Sequence, residues 1–236
     1  VSMVELIECV PNFSEGVNSE IIDEISSRVK DIPGVRVLGI EPDPDYNRTV
    51  LTFAGDSESV FEGACEVMRA SSALIDMREH QGEHPRIGAV DVCPFIPLGE
   101  SSMEVCVDLA ERLAVFVGDV LHLPAYLYGN SAKKAEHKLL SKIRKGEYES
   151  LEERFKSKSE FIPDFGPCEW NENVSRFGAT VIGAREILIA YNVNIDEQDA
   201  RVAKSIGSLV RSSGRLIRNQ DQSMRTKGLL EMVQGM

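Results

Sequence analysis

No apolar run in this sequence approaches the roughly 20 residues that a membrane-spanning helix needs. The basic-then-apolar layout of a secretory leader is also missing from the N-terminus, which leads to the expectation of a protein made and kept in the cytoplasm. Its five cysteines (Cys9, Cys65, Cys93, Cys106 and Cys168) form no C-x-x-C pair. That excludes the usual zinc-ribbon and dithiol motifs and reads as buried, reduced thiols of a cytosolic chain. Positive charge is in short supply: 26 Lys+Arg against 38 Asp+Glu give a net charge of −12, which argues against general nucleic-acid binding. The deficit is uneven. Residues 201–236 hold seven Lys/Arg and two Asp/Glu, a local +5, which leaves −17 on residues 1–200. The basic segment reads as a solvated helix face with an exposed loop, the alternative being a dock for a polyanionic tail.

Hydrophobic residues at 42% and charged residues at 27% are those of an ordinary globular chain, long enough for one large or two small domains. The densest local chemistry lies in His80–Leu98, HQGEHPRIGAVDVCPFIPL. Its first nine residues hold two histidines, Glu83, Arg86 and two glycines, and then run into an apolar strand. Gly82, Pro85 and Gly88 fix a shaped loop at the mouth of that strand. His80, Glu83 and His84 match H-x-x-E-H, the spacing of one class of zinc hydrolase. That motif needs a helix, which Gly82 and Pro85 oppose. The competing reading makes one histidine a general acid or base oriented by Glu83, with Arg86 holding an anionic substrate.

Hydrophobic periodicity predicts strands at 4–10, 35–40, 49–54, 89–96 and 125–128. It predicts helices from Ser19, as N-cap, to Gly34, over 57–75 and over 101–117. The order β-α-β-β-α-β-α-β is a split βαβ, ferredoxin-like layer with an added helix and strand. Residues 132–145 read as a solvent-facing helix and 151–155 as a short one. The stretch 162–179 reads as a long ligand loop or linker. Strands at 180–182, 187–193 and 229–234, with a helix over 196–213, read as a second unit that stops early. The fold class expected is therefore α+β: two ferredoxin-like subdomains with mixed sheets and helices on one face. The first spans residues 1–178 and the second, incomplete, residues 179–236.

Ile7–Gly16 (IECVPNFSEG), Asn47-Arg48-Thr49-Val50, His80–Leu98, Tyr126–Gly129, Pro163–Pro167 and Gly178–Asn194 together resemble the glutamate formimidoyltransferase family. This is also the transferase portion of the bifunctional formimidoyltransferase-cyclodeaminases. The resemblance implies transfer of a formimidoyl group from N-formimidoyl-L-glutamate to tetrahydrofolate, a step of histidine degradation and one-carbon metabolism. It implies tetrahydrofolate as co-substrate, no metal, a homodimer, and two stacked subdomains with the folate between them. The family's catalytic histidine falls on His84, and its acidic residue before the NRTV strand falls on Glu41, with Asp43 and Asp45 close by. Arg48 joins the catalytic set, and Asn47, Glu83, Arg86 and Gly88 the substrate contacts. The folate loop falls on Asp164, Phe165, Gly166 and Pro167, with Phe177, Gly178 and Ala179. Two rivals stand beside this reading: a metal-dependent amidohydrolase using His80, Glu83 and His84, and a folate-binding module without catalysis.

Overall fold

The computed structural model describes residues 5–157, 161–189, 195–197 and 199–210, and the backbone of 216–218 and 223–225. The chain divides into two compact units, Val1–Ile187 and Leu188–Met236.

The first unit is built on a seven-stranded mixed sheet. Its N-terminal strand is split into β1 (Leu6–Cys9) and β2 (Asn12–Phe13). Pro11 lies in the gap; lacking an N–H, it cannot continue the ladder, although its carbonyl still accepts from Leu51 N at 3.0 Å. Helix α1 (Ser19–Lys30) follows, then β3 (Arg36–Asp43), β4 (Arg48–Gly55), α2 (Ser57–Leu74) and β5 (Val90–Leu98). The order across the sheet is β3, β4, β1/β2, β5, with every neighbouring pair antiparallel. This is the split βαβ arrangement that the element order predicts, and the α+β class is confirmed. Helix α3 (Met103–Val115) runs through a π turn at Phe116–Val120 into β6 (Ala125–Gly129). Strand β7 (Thr180–Ala184) then inserts between β5 and β6, parallel to both. The strand expected to open the second unit is thus hydrogen-bonded into the first.

Period-two alternation sorts the strand side chains onto two faces. Leu51, Phe53, Cys93, Phe95, Leu127 and Ile182 join Ile25, Val29, Val67, Met68, Leu109 and Leu113 of the three long helices in one core. The opposite face carries a smaller core of Val92, Tyr126, Tyr128 and Val181. It is covered by α4 (Leu140–Ile143), α5 (Leu151–Lys156) and α6 (Glu172–Phe177).

Local chemistry decides the places where the elements differ from expectation. The α1 N-cap is Asn18, whose Oδ1 accepts from Glu20 N and Ile21 N; Ser19 is already helical. Residues 132–145 form not one helix but a 3₁₀ turn at Ala135–Lys138 and the single turn α4, because Asp164 pulls His137 into the interior. Helix α6 arises inside the expected long loop, capped by Asn171 on Val174 N. Residues 187–189 lie outside any strand and are exposed. The rest of the strand expected over 187–193, and the one over 229–234, fall outside the described residues. In the second unit, the helix expected over 196–213 is α7 (Ala200–Val210). An unexpected short hairpin, β8 (Leu216–Arg218) with β9 (Ser223–Arg225), is also described there.

Candidate active site

The loop between α2 and β5 is not helical at His80–His84. It is pinned instead by three neighbours. Ser14 donates its hydroxyl to Gly88 O (2.8 Å), Asn47 donates Nδ2 to Gln81 O (2.8 Å), and Ala89 N donates to Phe177 O (2.7 Å). Gly88 faces Gly178 in an antiparallel bridge, and a Cβ on Gly88 would lie 2.2 Å from Ala179 O. Only glycine permits that approach.

The hydrogen bonds set the state of His84. Its Nδ1 lies 2.8 Å from the Pro85 carbonyl, which can only accept, so the ring proton sits on Nδ1. Its Nε2, left with a lone pair, receives Nη1 of Arg48 at 2.7 Å. Burial lowers the imidazole pKa below its ordinary value, and the nearby Arg48 and Arg144 guanidinium groups lower it further. His84 is therefore neutral at pH 7. The Tyr46 ring packs against it at 5.6 Å between centroids, and Arg48 lies over the same ring at 5.9 Å.

Arg48 opens β4 on the sheet face away from the long helices, and its Nε is buried without a partner. The preceding residue, Asn47, adopts φ 47°, a left-handed conformation that asparagine tolerates better than most residues. Its Oδ1 accepts from Gly16 N at 2.9 Å, which ties the β2–α1 turn to the same corner. Glu41 pairs with Val50 and Asp43 with Arg48, so both carboxylates share the Arg48 face. Asp43 is committed to its own turn, accepting from Asp45 N (3.0 Å) and Tyr46 N (2.9 Å). Glu41 is exposed. Glu83 is also exposed, and its backbone N–H donates to Asp45 O at 3.3 Å rather than its carboxylate orienting a histidine.

Arg86 is 7% exposed and does not offer a free cation. Its two terminal nitrogens donate to Glu149 at 2.9 and 2.7 Å, Nη1 also reaches Glu147 at 3.2 Å, and Nε donates to His80 Nδ1 at 3.2 Å. A pocket of about 380 Å³ opens beside this cluster, lined by His80, Gly82, Arg86, Glu147 and Glu149 among others. With both rings of the H-x-x-E-H stretch bonded at both nitrogens, and no helix beneath them, the paired-histidine face of a zinc hydrolase does not form.

The expected folate residues fall into two groups. Gly178 (φ 79°) and Ala179 lie against Ile87 and Gly88, with Ala179 N donating to Ile87 O at 2.9 Å. The Phe177 ring is in the main core, 1% exposed, so only its backbone reaches the loop. The second group, 164–167, lies at the start of β6, where Ala125 exchanges backbone bonds with Phe165. Asp164 is fully engaged there: its carboxylate accepts from His137 Nδ1 (2.9 Å) and Leu127 N (2.8 Å), with Lys134 Nζ at 3.5 Å. Phe165 is half-buried, with Lys133 Nζ 5.1 Å from its ring centre. Gly166 packs on Leu123 O and Gly118, and Pro167 is half-buried.

Four functional-looking residues escaped the sequence. Asp91 is fully buried and ion-paired to Arg144, and its Oδ1 accepts from Ile87 N at 3.0 Å. A lone charge inside the apolar run VDVCPFI was its available signal. Arg144, Glu147 and Glu149 had none, since they reach the loop from about sixty residues away.

These parts define an α+β domain of ferredoxin-like topology with a polar site centred on a neutral histidine and an arginine. The profile of the formiminotransferase domain, N-terminal subdomain, matches residues 6–185, and the chain belongs to that family. It is 46% identical to rat (Rattus norvegicus) formimidoyltransferase-cyclodeaminase over 236 residues, covering 99% of this chain but 41% of that protein. It is 39% identical to glutamate formimidoyltransferase of Streptococcus pyogenes serotype M1 over 90% of the chain and 70% of the relative. The corresponding protein of Thermoplasma acidophilum is 42% identical over 89% of the chain and 68% of the relative. The chain thus spans about two-fifths of the length of the rat protein.

Proposed function

We propose that the chain carries the catalytic half of a glutamate formimidoyltransferase, moving the formimidoyl group of N-formimidoyl-L-glutamate to N5 of tetrahydrofolate. The observation that carries this reading is the neutral His84 with its lone pair on Nε2, set beside Arg48. The N5 lone pair attacks the amidine carbon as Arg48 Nη1 turns from His84 Nε2 to a substrate carboxylate, and the freed Nε2 lone pair accepts the proton that N5 must lose. The imidazolium then gives that proton to the glutamate nitrogen as its bond to carbon breaks. L-glutamate and 5-formimidoyltetrahydrofolate result, and His84 returns to its neutral form. Arg48 assists twice: its charge keeps the imidazolium acidic enough to release the proton, and it can pair with a substrate carboxylate. Glu41, exposed on the Arg48 face, is our choice to stabilise the cationic amidine. Arg86, held by Glu147 and Glu149, belongs to the frame of the site and leaves substrate binding to Asn47, Gly88 and Arg48.

Folate reaches this site past Gly178 and Ala179, which border the His84 loop, while 164–167 shape the start of β6. A cytoplasmic homodimer is the assembly we expect. His84→Ala decides the reading. Turnover of formimidoyl-glutamate with tetrahydrofolate should fall by about 10²–10⁴-fold with folate affinity kept. Unchanged turnover moves the chemistry elsewhere, and folate binding by a wild type that never turns over favours the non-catalytic module.

A further inference from the structure

Beside His84 stands a second histidine that the proposed reaction does not use. His80 is half-buried and bonded at both ring nitrogens. Arg86 Nε donates to its Nδ1 at 3.2 Å, which forces the ring proton onto Nε2, and Nε2 donates to the Asn47 carbonyl at 2.8 Å. The peptide bond of that carbonyl leads into Arg48, the partner of His84. At its outer end the chain is anchored by Glu149, which takes both terminal nitrogens of Arg86. Five side chains from three distant parts of the sequence thus form one line: Glu149, Arg86, His80, then through the Asn47 carbonyl to Arg48 and His84.

We infer that His80 is a positioning residue: with Arg86 and Glu149 it clamps the Asn47 peptide so that the Arg48 guanidinium stays beside His84, and so sets the proton affinity of the catalytic base. The clamp has something to hold. Asn47 sits at φ 47°, a conformation the chain leaves readily unless its surroundings impose it. Its side chain is fixed by Gly16 and Gln81, and among the described residues His80 is the side chain that holds its carbonyl. The groups facing His84 are Arg48 and Tyr46 from the β3–β4 turn and strand, Arg144 after α4, and Asp91 of β5. Those facing His80 are Arg86, Glu149 and Glu15. Release of Arg48 alone removes the closest cation from His84, and its pKa then rises. The inference rests on His84 as the base of the proposed reaction, but its physical core, the coupling of His80 to His84, exists without turnover.

The test is therefore made on the 236-residue chain by NMR titration of the histidine rings, with His84→Ala to assign the signal, and by pH-rate profiles in parallel. His80→Phe keeps the bulk and removes both bonds; the His84 midpoint should move up and kcat should fall by about 10- to 100-fold. His80→Gln restores an acceptor for Arg86 and a donor for Asn47, and should return the midpoint and most of kcat. Should His80→Phe fail to fold, Glu149→Gln loosens the same chain from an exposed end and should move the midpoint in the same direction. A His84 midpoint that stays put in the folded variants overturns the inference. So does one that moves equally in His80→Phe and His80→Gln. A wild type without formimidoyl transfer but with the expected midpoint shifts overturns the proposed reaction and leaves the positioning chain standing.

Discussion

Nη1 of Arg48 lies 2.7 Å from Nε2 of His84, although the two residues come from a strand end and a loop 36 positions apart. A cation beside the lone pair of a neutral imidazole has one clear consequence. It opposes protonation, so the base form persists to lower pH than in a free histidine. The acid limb of kcat/KM should lie below the ordinary histidine range of about 6.5. Arg48→Met should raise that limb toward it and cost about 10- to 100-fold in kcat/KM, the worth of a hydrogen bond to a charged group. A pH-rate profile that keeps its acid limb in the variant would disprove the electrostatic role.

Gly88→Ala tests the loop's seat on the neighbouring chain. The added methyl would stand 2.2 Å from Ala179 O and 2.7 Å from Phe177 O, both backbone atoms that cannot swing away. Shifting them disturbs the bonds that hold Ala89 and Ala179, so the variant should lose about 2 kcal/mol or more. Thermal unfolding reads this directly, and activity should fall in the residual folded fraction too.

Asp164→Asn should be a stability variant first. Burial acts to raise the Asp164 carboxyl, but the bonds from His137 and Leu127 N outweigh it, and its pKa lies below the ordinary value. A group depressed on folding contributes stability that is full above its unfolded pKa, about 3.9, and is lost as pH falls through the folded one. The variant should therefore be weaker by about 1.5–3 kcal/mol at pH 7. The gap to wild type should narrow in acid. Denaturant melts at pH 7 and pH 3 measure both values.

Thiol chemistry should be confined to one site. Cys9, Cys65, Cys93 and Cys106 are buried, and burial pushes the Cys65 and Cys106 thiols up to about 12; Cys168 alone is exposed. A thiol-specific reagent at pH 8 should modify one cysteine quickly in the native chain and the other four only on unfolding. Two or more fast sites would show that the strands β1 and β5, which bring Cys9 and Cys93 within 3.6 Å, open readily.

Much was determined by the sequence alone, because the signals are local. Alternation and 3.6-residue periodicity placed the three long helices and five main strands, and their order implied the split βαβ layer. The crowding of His, Glu, Arg, Gly and Pro over residues 80–88 marked the candidate site. Gly82 and Pro85 already argued that no metal-binding helix forms there.

The tertiary structure decided what depends on residues far apart in the chain. Arg86 reads from sequence as a free cation for substrate; folding delivers Glu147 and Glu149 to it and neutralises it. His137 reads as part of a solvent-facing helix and Asp164 as part of a ligand loop, yet His137 Nδ1 and the Asp164 carboxylate meet in the interior. Thr180–Ile182 reads as the start of a new unit, but a short apolar strand carries no mark of its neighbours, and as part of β7 it pairs between β5 and β6. His80 and His84 are indistinguishable as letters four apart. The bonds that folding supplies, from Arg86 and to the Asn47 carbonyl for His80, from Arg48 and to the Pro85 carbonyl for His84, give the two rings opposite tautomers. Periodicity and turn chemistry are short-ranged, whereas the protonation of a histidine is set by whichever charges the fold brings within a few ångströms.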